Sequence, residues 1–367
     1  MMGTRKSKRL VGLIHTLGMG GAQRMMITIL NYFASQGIET HLIVFDNSGT
    51  LKALLSSEVV VHDLAICSVT KGMPRCLKTI HSIDADVVFT GIGHLNITLA
   101  PFVPLMKLLN KKTKWISRET NIVSLQNQRE NYPKVFDWLY RHVYKNYDGI
   151  IAQSEDMKEN LVENYVSAEK IILINNPVNY QKVMRMASET PSFKFDANKI
   201  NLLAVSQLRE EKRHDLMLEV LSFLPQKYHL TIVGSGEKEE NIKRLSKALN
   251  LEDRVTFEGQ QLNPYVYMKN ADLFLLTSER EGFPNVLLEA NVLGLPIVAF
   301  ACKGGIKEII SQGINGFHVP FLESKKMAKK IQEASSFAFD KEKITQMTIK
   351  SYSQEVILEK YRKVFEF

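Results

Sequence analysis

Three cysteines in 367 residues are too few to staple a secreted scaffold. Cys67, Cys76 and Cys302 stand far apart and have no metal-ligand spacing, so a reduced, cytoplasmic setting is expected. Long apolar runs are also missing. NITLAPFVPLM (96–106) is too short to span a bilayer and contains two prolines. The opening MMGTRKSKRLVGLIHTLGMGGA has the basic start and apolar stretch of a leader. His15 and four glycines interrupt that stretch, and the segment reads against a signal peptide. The dinucleotide fingerprint GxGxxG is absent, because glycines at 18, 20 and 21 have the wrong spacing and only Asp46 comes near the ribose-binding position. No RNA- or DNA-binding motif appears, and nucleic acid is not an expected partner.

Hydrophobic content of 45% and charged content of 23% are those of a soluble globular protein. The chain is longer than one core usually supports, so two domains are expected. Short β-branched runs alternate with amphipathic segments, the pattern of parallel sheets built from strand–helix–strand units. Strands are expected near 9–15, 40–45, 59–62, 86–90, 114–118, 149–152 and 170–174. A second set is expected near 200–205, 229–233, 254–257, 272–277, 296–300 and 316–319. Polar stretches at 175–182 and 188–199 separate the sets, and 344–367 reads as a helical tail. The net charge of +8 is uneven: residues 1–150 carry 18 Lys/Arg against 10 Asp/Glu, and the remainder carries 29 of each. A basic N-terminal half suits an anionic membrane surface, with RKSKR (5–9) and KLLNKKTKW (107–115) as contacts.

The most informative stretch is SEREGFPNVLLEANVLGLP (278–296). An apolar strand enters it, the chain breaks at Gly282 and Pro284, and a helix restarts near Asn285. Glu281 therefore lies in the loop and Glu289 just inside the helix. A helix start with free N–H groups holds phosphate, whereas two carboxylates beside it repel anions and accept hydrogen bonds from hydroxyls. A ligand with both groups is a nucleotide sugar. Other loops fall at carboxyl ends of expected strands, where open α/β sheets bind ligands. They are GMGGAQR (18–24), SQLREEKRHD (206–215), VGSGE (233–237), VTFEG (255–259) and GGIKEIISQGINGFHVP (304–320). Asp84 and Asp86 precede their strand and read as solvated turn residues.

In the order and spacing of these motifs, the chain resembles the retaining glycosyltransferases of family 4, including bacterial enzymes of surface or lipid-linked glycan assembly. The resemblance implies an α/β GT-B architecture, two Rossmann-like domains facing across a cleft. Residues 1–178 would form the acceptor domain, 179–343 the donor-nucleotide domain, and 344–367 a helical tail returning to the first. It implies that Gly20 and Gly21 touch donor sugar and phosphate, and that Gly234 and Gly236 border the nucleotide. Lys212 would bind the diphosphate, Glu281 the sugar hydroxyls and Glu289 the ribose diol. Backbone groups of Phe283, Pro284, Asn285 and Val286 would line phosphate and sugar, with Gly304 and Gly305 as another backbone-donor cradle. Gln207 departs from the pattern, which has Arg there. A Gln supplies no charge, so Arg209 or Arg213 is the expected substitute, and Arg209 joins Lys212 and Glu281 as a catalytic candidate. The family's N-terminal-domain His has no clear counterpart, although His94, Arg118 and Glu119 fall in suitable loops.

The expected activity is transfer of a hexose or N-acetylhexosamine, with retention, from a nucleotide sugar (UDP by expectation) to a hydroxyl of a lipid-linked glycan. No cofactor or metal is expected, and the site would work on the cytoplasmic face of the inner membrane. A nucleotide-sugar epimerase of the same fold would need no acceptor. A glycoside hydrolase would need both carboxylates flanking one bond. A non-catalytic binding module would have no need of Lys212 with the Glu pair.

Overall fold

The computed structural model describes residues 8–18, 20–191 and 193–367. Most of the basic RKSKR segment (Arg5, Lys6 and Ser7) lies outside the described residues, as does Met19 of the glycine-rich loop. The chain divides into two compact units, Met1–Asn175 with Leu358–Phe367, and Asn176–Ile357.

The first unit is built on seven strands: β1 (Arg9–Thr16), β2 (Glu39–Asp46), β3 (Val60–Asp63), β4 (Val87–Thr90), β5 (Lys114–Arg118), β6 (Gly149–Ala152) and β7 (Ile171–Leu173). They pair in the order β3-β2-β1-β4-β5-β6-β7, with every pairing parallel. The second unit has β8 (Ile200–Val205), β9 (Tyr228–Val233), β10 (Val255–Gly259), β11 (Leu273–Leu276), β12 (Ile297–Ala301) and β13 (Gly316–Pro320). Their order is β10-β9-β8-β11-β12-β13, again all parallel. Each sheet starts in its middle, runs outward one way and then reverses, the doubly wound Rossmann-like arrangement. All thirteen expected strands are present.

Burial explains why these runs form strands. VVFT of β4, GIIA of β6 and LFLL of β11 are buried at every residue, as expected of parallel strands covered on both faces. The edge strand β3 is short and exposes Val60 and Val61. Asp84 and Asp86 do more than solvate a turn. Asp84 ends helix Val69–Ile83 in the left-handed region (φ 54°), and its Oδ1 accepts from Asn110 Nδ2. Half-buried Asp86 accepts from the Arg9 amide at 2.8 Å, which fixes the start of β1. Among the described residues, no helix is long and apolar enough to cross a membrane.

The C-terminal segment is two helices, Lys341–Tyr352 and Gln354–Phe365, where the sequence suggested one helical tail. Ser353 interrupts them and bridges to Val178. The first of the pair belongs to the second unit, where Thr345 Oγ1 donates to Val292 O at 3.1 Å. The chain's last residues complete the core of the first unit. Tyr361 and Phe365 are fully buried, with ring centroids 5.9 and 5.3 Å from Phe89. Phe33 lies 5.2 Å from Phe365, and Lys114 pairs with Glu366. Phe365→Ala should therefore lower stability by about 3–5 kcal/mol in urea denaturation. A loss below about 1 kcal/mol would mean that this aromatic cluster contributes little to the core.

Candidate active site

In the second unit, the loops leaving the carboxyl ends of neighbouring strands are hydrogen-bonded to one another in sheet order. Gly234 N donates to Gly259 O at 2.7 Å, joining the β9 and β10 loops. Ser206 N reaches Val233 O and Leu208 N reaches Ser235 O, joining β8 to β9. Thr277 Oγ1 donates to the carbonyls of Lys212 and Arg213 at 3.1 and 3.0 Å, and Glu279 N to Glu211 O, joining β8 to β11. Glu281 N donates to Lys303 O and Gly305 N to Gly282 O, joining β11 to β12. Two glycines make the approach possible. A Cβ on Gly234 (φ 143°) would lie 1.9 Å from Ser206 O, and one on Gly304 (φ 122°) 1.8 Å from Glu281 O. Gly236 and Gly305 are crowded in the same way, by Leu208 O and the Phe283 ring.

This packing brings Lys212 and Glu281 together. Lys212 ends the single-turn helix Glu210–Lys212, and Arg213 follows in the left-handed region at φ 49°. Lys212 Nζ lies 2.7 Å from Glu281 Oε1, and Ser278 Oγ donates to the same oxygen at 2.6 Å. The Glu281 side chain is only 11% exposed and that of Lys212 23%. Gln207 and Arg209 lie exposed on the same loop. Arg213 is held by Asp215, its Nε and Nη2 donating at 3.0 and 2.8 Å. Of the two arginines weighed against Gln207, Arg213 is thus already engaged.

Helix Asn285–Val292 starts after Pro284 with no side-chain cap. Asn176 fixes that start, donating to Phe283 O at 2.9 Å and Asn285 Oδ1 at 2.7 Å. The amides of Asn285 and Val286 donate to no acceptor among the described residues. The Phe283 side chain is buried against Tyr352 and contributes packing. Glu289 accepts from Tyr265 Oη at 3.2 Å. The Gly305 amide is spent on Gly282 O and ties a loop, so the expected cradle of free donors at Gly304 and Gly305 lacks that N–H. Beneath the Lys212 loop, buried His214 shares a 3.0 Å hydrogen bond with Ser206 Oγ. Burial and then the Lys212 charge push its pKa down to about 4.

Gly20, Gly21, His94, Arg118 and Glu119 belong to the first unit. Gly20 caps helix Gly21–Ser35 in an extended conformation, where a Cβ would lie 2.2 Å from Gln23 Oε1. Arg118 and Glu119 are buried, whereas His94 is exposed. Among the described residues no three His, Cys, Asp or Glu side chains gather to hold a metal ion. Sequence reasoning missed Thr277 and Ser278, which sit beside the Glu281 motif and were legible as its neighbours. It also missed Asn176 and Tyr265, for which no local signal exists.

Two family models match consecutive stretches: Glycosyltransferase Family 4 over residues 19–182 and Glycosyl transferases group 1 over 187–353. The chain belongs to the glycosyltransferase family they describe. A Campylobacter jejuni relative of this glycosyltransferase is 26% identical over 92% of the chain and 97% of its own length. Its name is N-acetylgalactosamine-N,N'-diacetylbacillosaminyl-diphospho-undecaprenol 4-alpha-N-acetylgalactosaminyltransferase. The lipopolysaccharide 1,6-galactosyltransferase of Escherichia coli is 28% identical over 82% of the chain and 81% of its own length. The crystal structure of Anabaena HepE in complex with UDP superposes with a TM-score of 0.79 at 18% identity. It covers 98% of the glycosyltransferase and 99% of HepE, and establishes the shared GT-B fold alone.

His214 gives the site a testable pH dependence. The folded glycosyltransferase favours the neutral imidazole, so the unfolded chain takes up a proton first as pH falls below about 6.5. The stabilisation is complete above that pH and is lost progressively toward pH 4. Wild type should lose up to about 3 kcal/mol more than His214→Gln across this window in urea titrations. Parallel losses in the two proteins would contradict the assignment.

Proposed function

We propose that this glycosyltransferase is a retaining enzyme moving a hexose or N-acetylhexosamine from a UDP sugar to a hydroxyl of a lipid-linked glycan. The observation that carries the reading is the meeting of Lys212 and Glu281 in the loops beside the unpaired amides of Asn285 and Val286. The names of the Campylobacter and Escherichia relatives, which mention diphospho-undecaprenol and lipopolysaccharide, support the acceptor class. The UDP in HepE supports the donor.

The chemistry follows from charge. As the glycosidic bond breaks, negative charge grows on the departing diphosphate while the sugar becomes oxocarbenium-like. A lysine ammonium has three donors, and Lys212 spends one on Glu281. Its remaining N–H groups, the two helix amides and the positive end of the helix dipole would meet the diphosphate. Arg209, exposed on the same loop, would supply the charge that Gln207 lacks. Glu281 Oε1 is engaged by Lys212 and Ser278, which leaves Oε2 for a sugar hydroxyl. Glu289 would accept from the ribose diol, with Tyr265 orienting its carboxylate. Retention would follow from attack on the face the diphosphate leaves, with no protein nucleophile and no need of a metal ion.

The first unit offers a surface suited to a lipid-linked substrate. On helix Val103–Leu109, Leu105, Leu108 and Leu109 are 54%, 75% and 57% exposed, and exposed Lys111 and Lys112 follow. Apolar side chains flanked by lysines suit the anionic cytoplasmic face of the inner membrane.

Two measurements test the reading. Lys212→Ala should lower turnover at saturating donor by about 10²–10³-fold; near-normal turnover would remove the proposed charge stabilisation. The double variant Leu108→Glu, Leu109→Glu should bind phosphatidylglycerol vesicles at least about tenfold more weakly at low salt, given about 1.5–3 kcal/mol per buried leucine. Unchanged binding would dismiss this face.

A further inference from the structure

The first unit holds a buried acid that the proposed mechanism does not use. Glu119 follows β5, and its side chain lies within the unit at 3% exposure. Its donors converge on one oxygen. Oε1 accepts from Tyr144 Oη, from Asn96 Nδ2 at 2.9 Å and from Tyr140 Oη at 3.4 Å. These donors are themselves fixed, since Ser117 Oγ bonds Tyr144 Oη at 3.0 Å and Tyr147 Oη bonds Asn96 O at 2.7 Å. Oε2 accepts from no described residue. Oε2 is not sealed in the core, and its acceptor capacity stays open to a group entering from outside.

Glu119 lines a cavity of about 180 Å³ at the carboxyl ends of β4 and β5. Gly93 keeps the approach to the carboxyl open, because a Cβ there would lie 3.6 Å from Oε2 and 3.5 Å from Tyr140 Oη. Asn121, Gln126 and His94 add planar polar groups, and Phe136 adds an apolar wall. Among the described residues no lysine or arginine lines the cavity, and Glu130 places a second carboxylate there. Such a wall repels a phosphate and suits a neutral, hydroxyl-bearing ring. At about 30 Å³ per water the space equals roughly six waters, enough for one sugar ring. Desolvation pushes the Glu119 pKa up, while the bonds from Tyr144, Asn96 and Tyr140 and the nearby Arg118 charge oppose it.

We infer that this cavity binds one neutral monosaccharide unit of the acceptor glycan, with Glu119 Oε2 hydrogen-bonded to a ring hydroxyl. The inference rests on the glycosyl-transfer reading and adds where the acceptor is gripped. Glu119 is here a binding residue, remote in role from the diphosphate chemistry of the second unit.

The test uses the full chain and four free sugars: glucose, galactose, N-acetylglucosamine and N-acetylgalactosamine. Saturation-transfer NMR should show at least one of them binding the wild type. Gly93→Val should reduce that signal at least fivefold while UDP affinity, read by calorimetry, stays within twofold. Gly93→Ala, whose Cβ meets only ordinary van der Waals contacts, should give a smaller loss and keeps the comparison readable if valine disturbs the fold. Absence of signal from all four sugars, or an undiminished signal in both variants, would overturn the inference. Sugar binding that is sensitive to Gly93 in a protein that fails to bind UDP would support the cavity and defeat the donor reading instead.

Discussion

A lysine and a glutamate from different loops meet at 2.7 Å, and much of the second unit is arranged so that they can. Both groups are withdrawn from water, so each depends on the other: removing one strands a mostly buried charge. The net worth of such a pair to stability is modest, because desolvation offsets attraction. What the pair provides is specification. It holds the β8 and β11 loops in one register, and Thr277, donating to the carbonyls of Lys212 and Arg213, locks the backbone behind it.

The constraint spreads sideways along the sheet. Parallel strands deliver their carboxyl ends to one edge, and a helix must follow each, so loops and helix starts collect there. Here those loops also touch. Gly234 and Gly304 adopt backbone angles and clearances that a side chain would forbid, and each admits a carbonyl from the adjacent loop. Asn176 then fixes the start of helix Asn285–Val292. The result is an edge at which Lys212 and the free amides at the start of that helix are fixed in place before any ligand arrives.

Much of this was legible in the amino-acid order. Fully buried parallel strands such as LFLL and GIIA announce themselves as apolar runs, and all thirteen were found with ends shifted by at most two residues. Lys212, Glu281 and Glu289 were legible because they sit in short motifs beside glycine and proline breaks. Glycines 234, 236, 304 and 305 were marked as ligand-bordering, and the structure adds that each first serves loop-to-loop packing. Other features depended on distant pairings that no local pattern encodes. Asn176 reaches Phe283 and Asn285 across more than a hundred residues, and Tyr361 and Phe365 enter a core begun near residue 33. Ser353 splits the tail as a local cap, its Oγ accepting from Val356 N at 3.4 Å, whereas its backbone bridge to Val178 is invisible in a window around it. The charge pattern of Arg213 was equally ambiguous until Asp215 was seen to hold it.

The most direct measurement of the central claim is a crystal structure of the chain soaked with UDP. The account predicts the diphosphate within hydrogen-bond distance of Lys212 Nζ and the amides of Asn285 and Val286, with the ribose hydroxyls on Glu289. A nucleotide bound away from Lys212 and Glu289, at any other edge of the molecule, would contradict it.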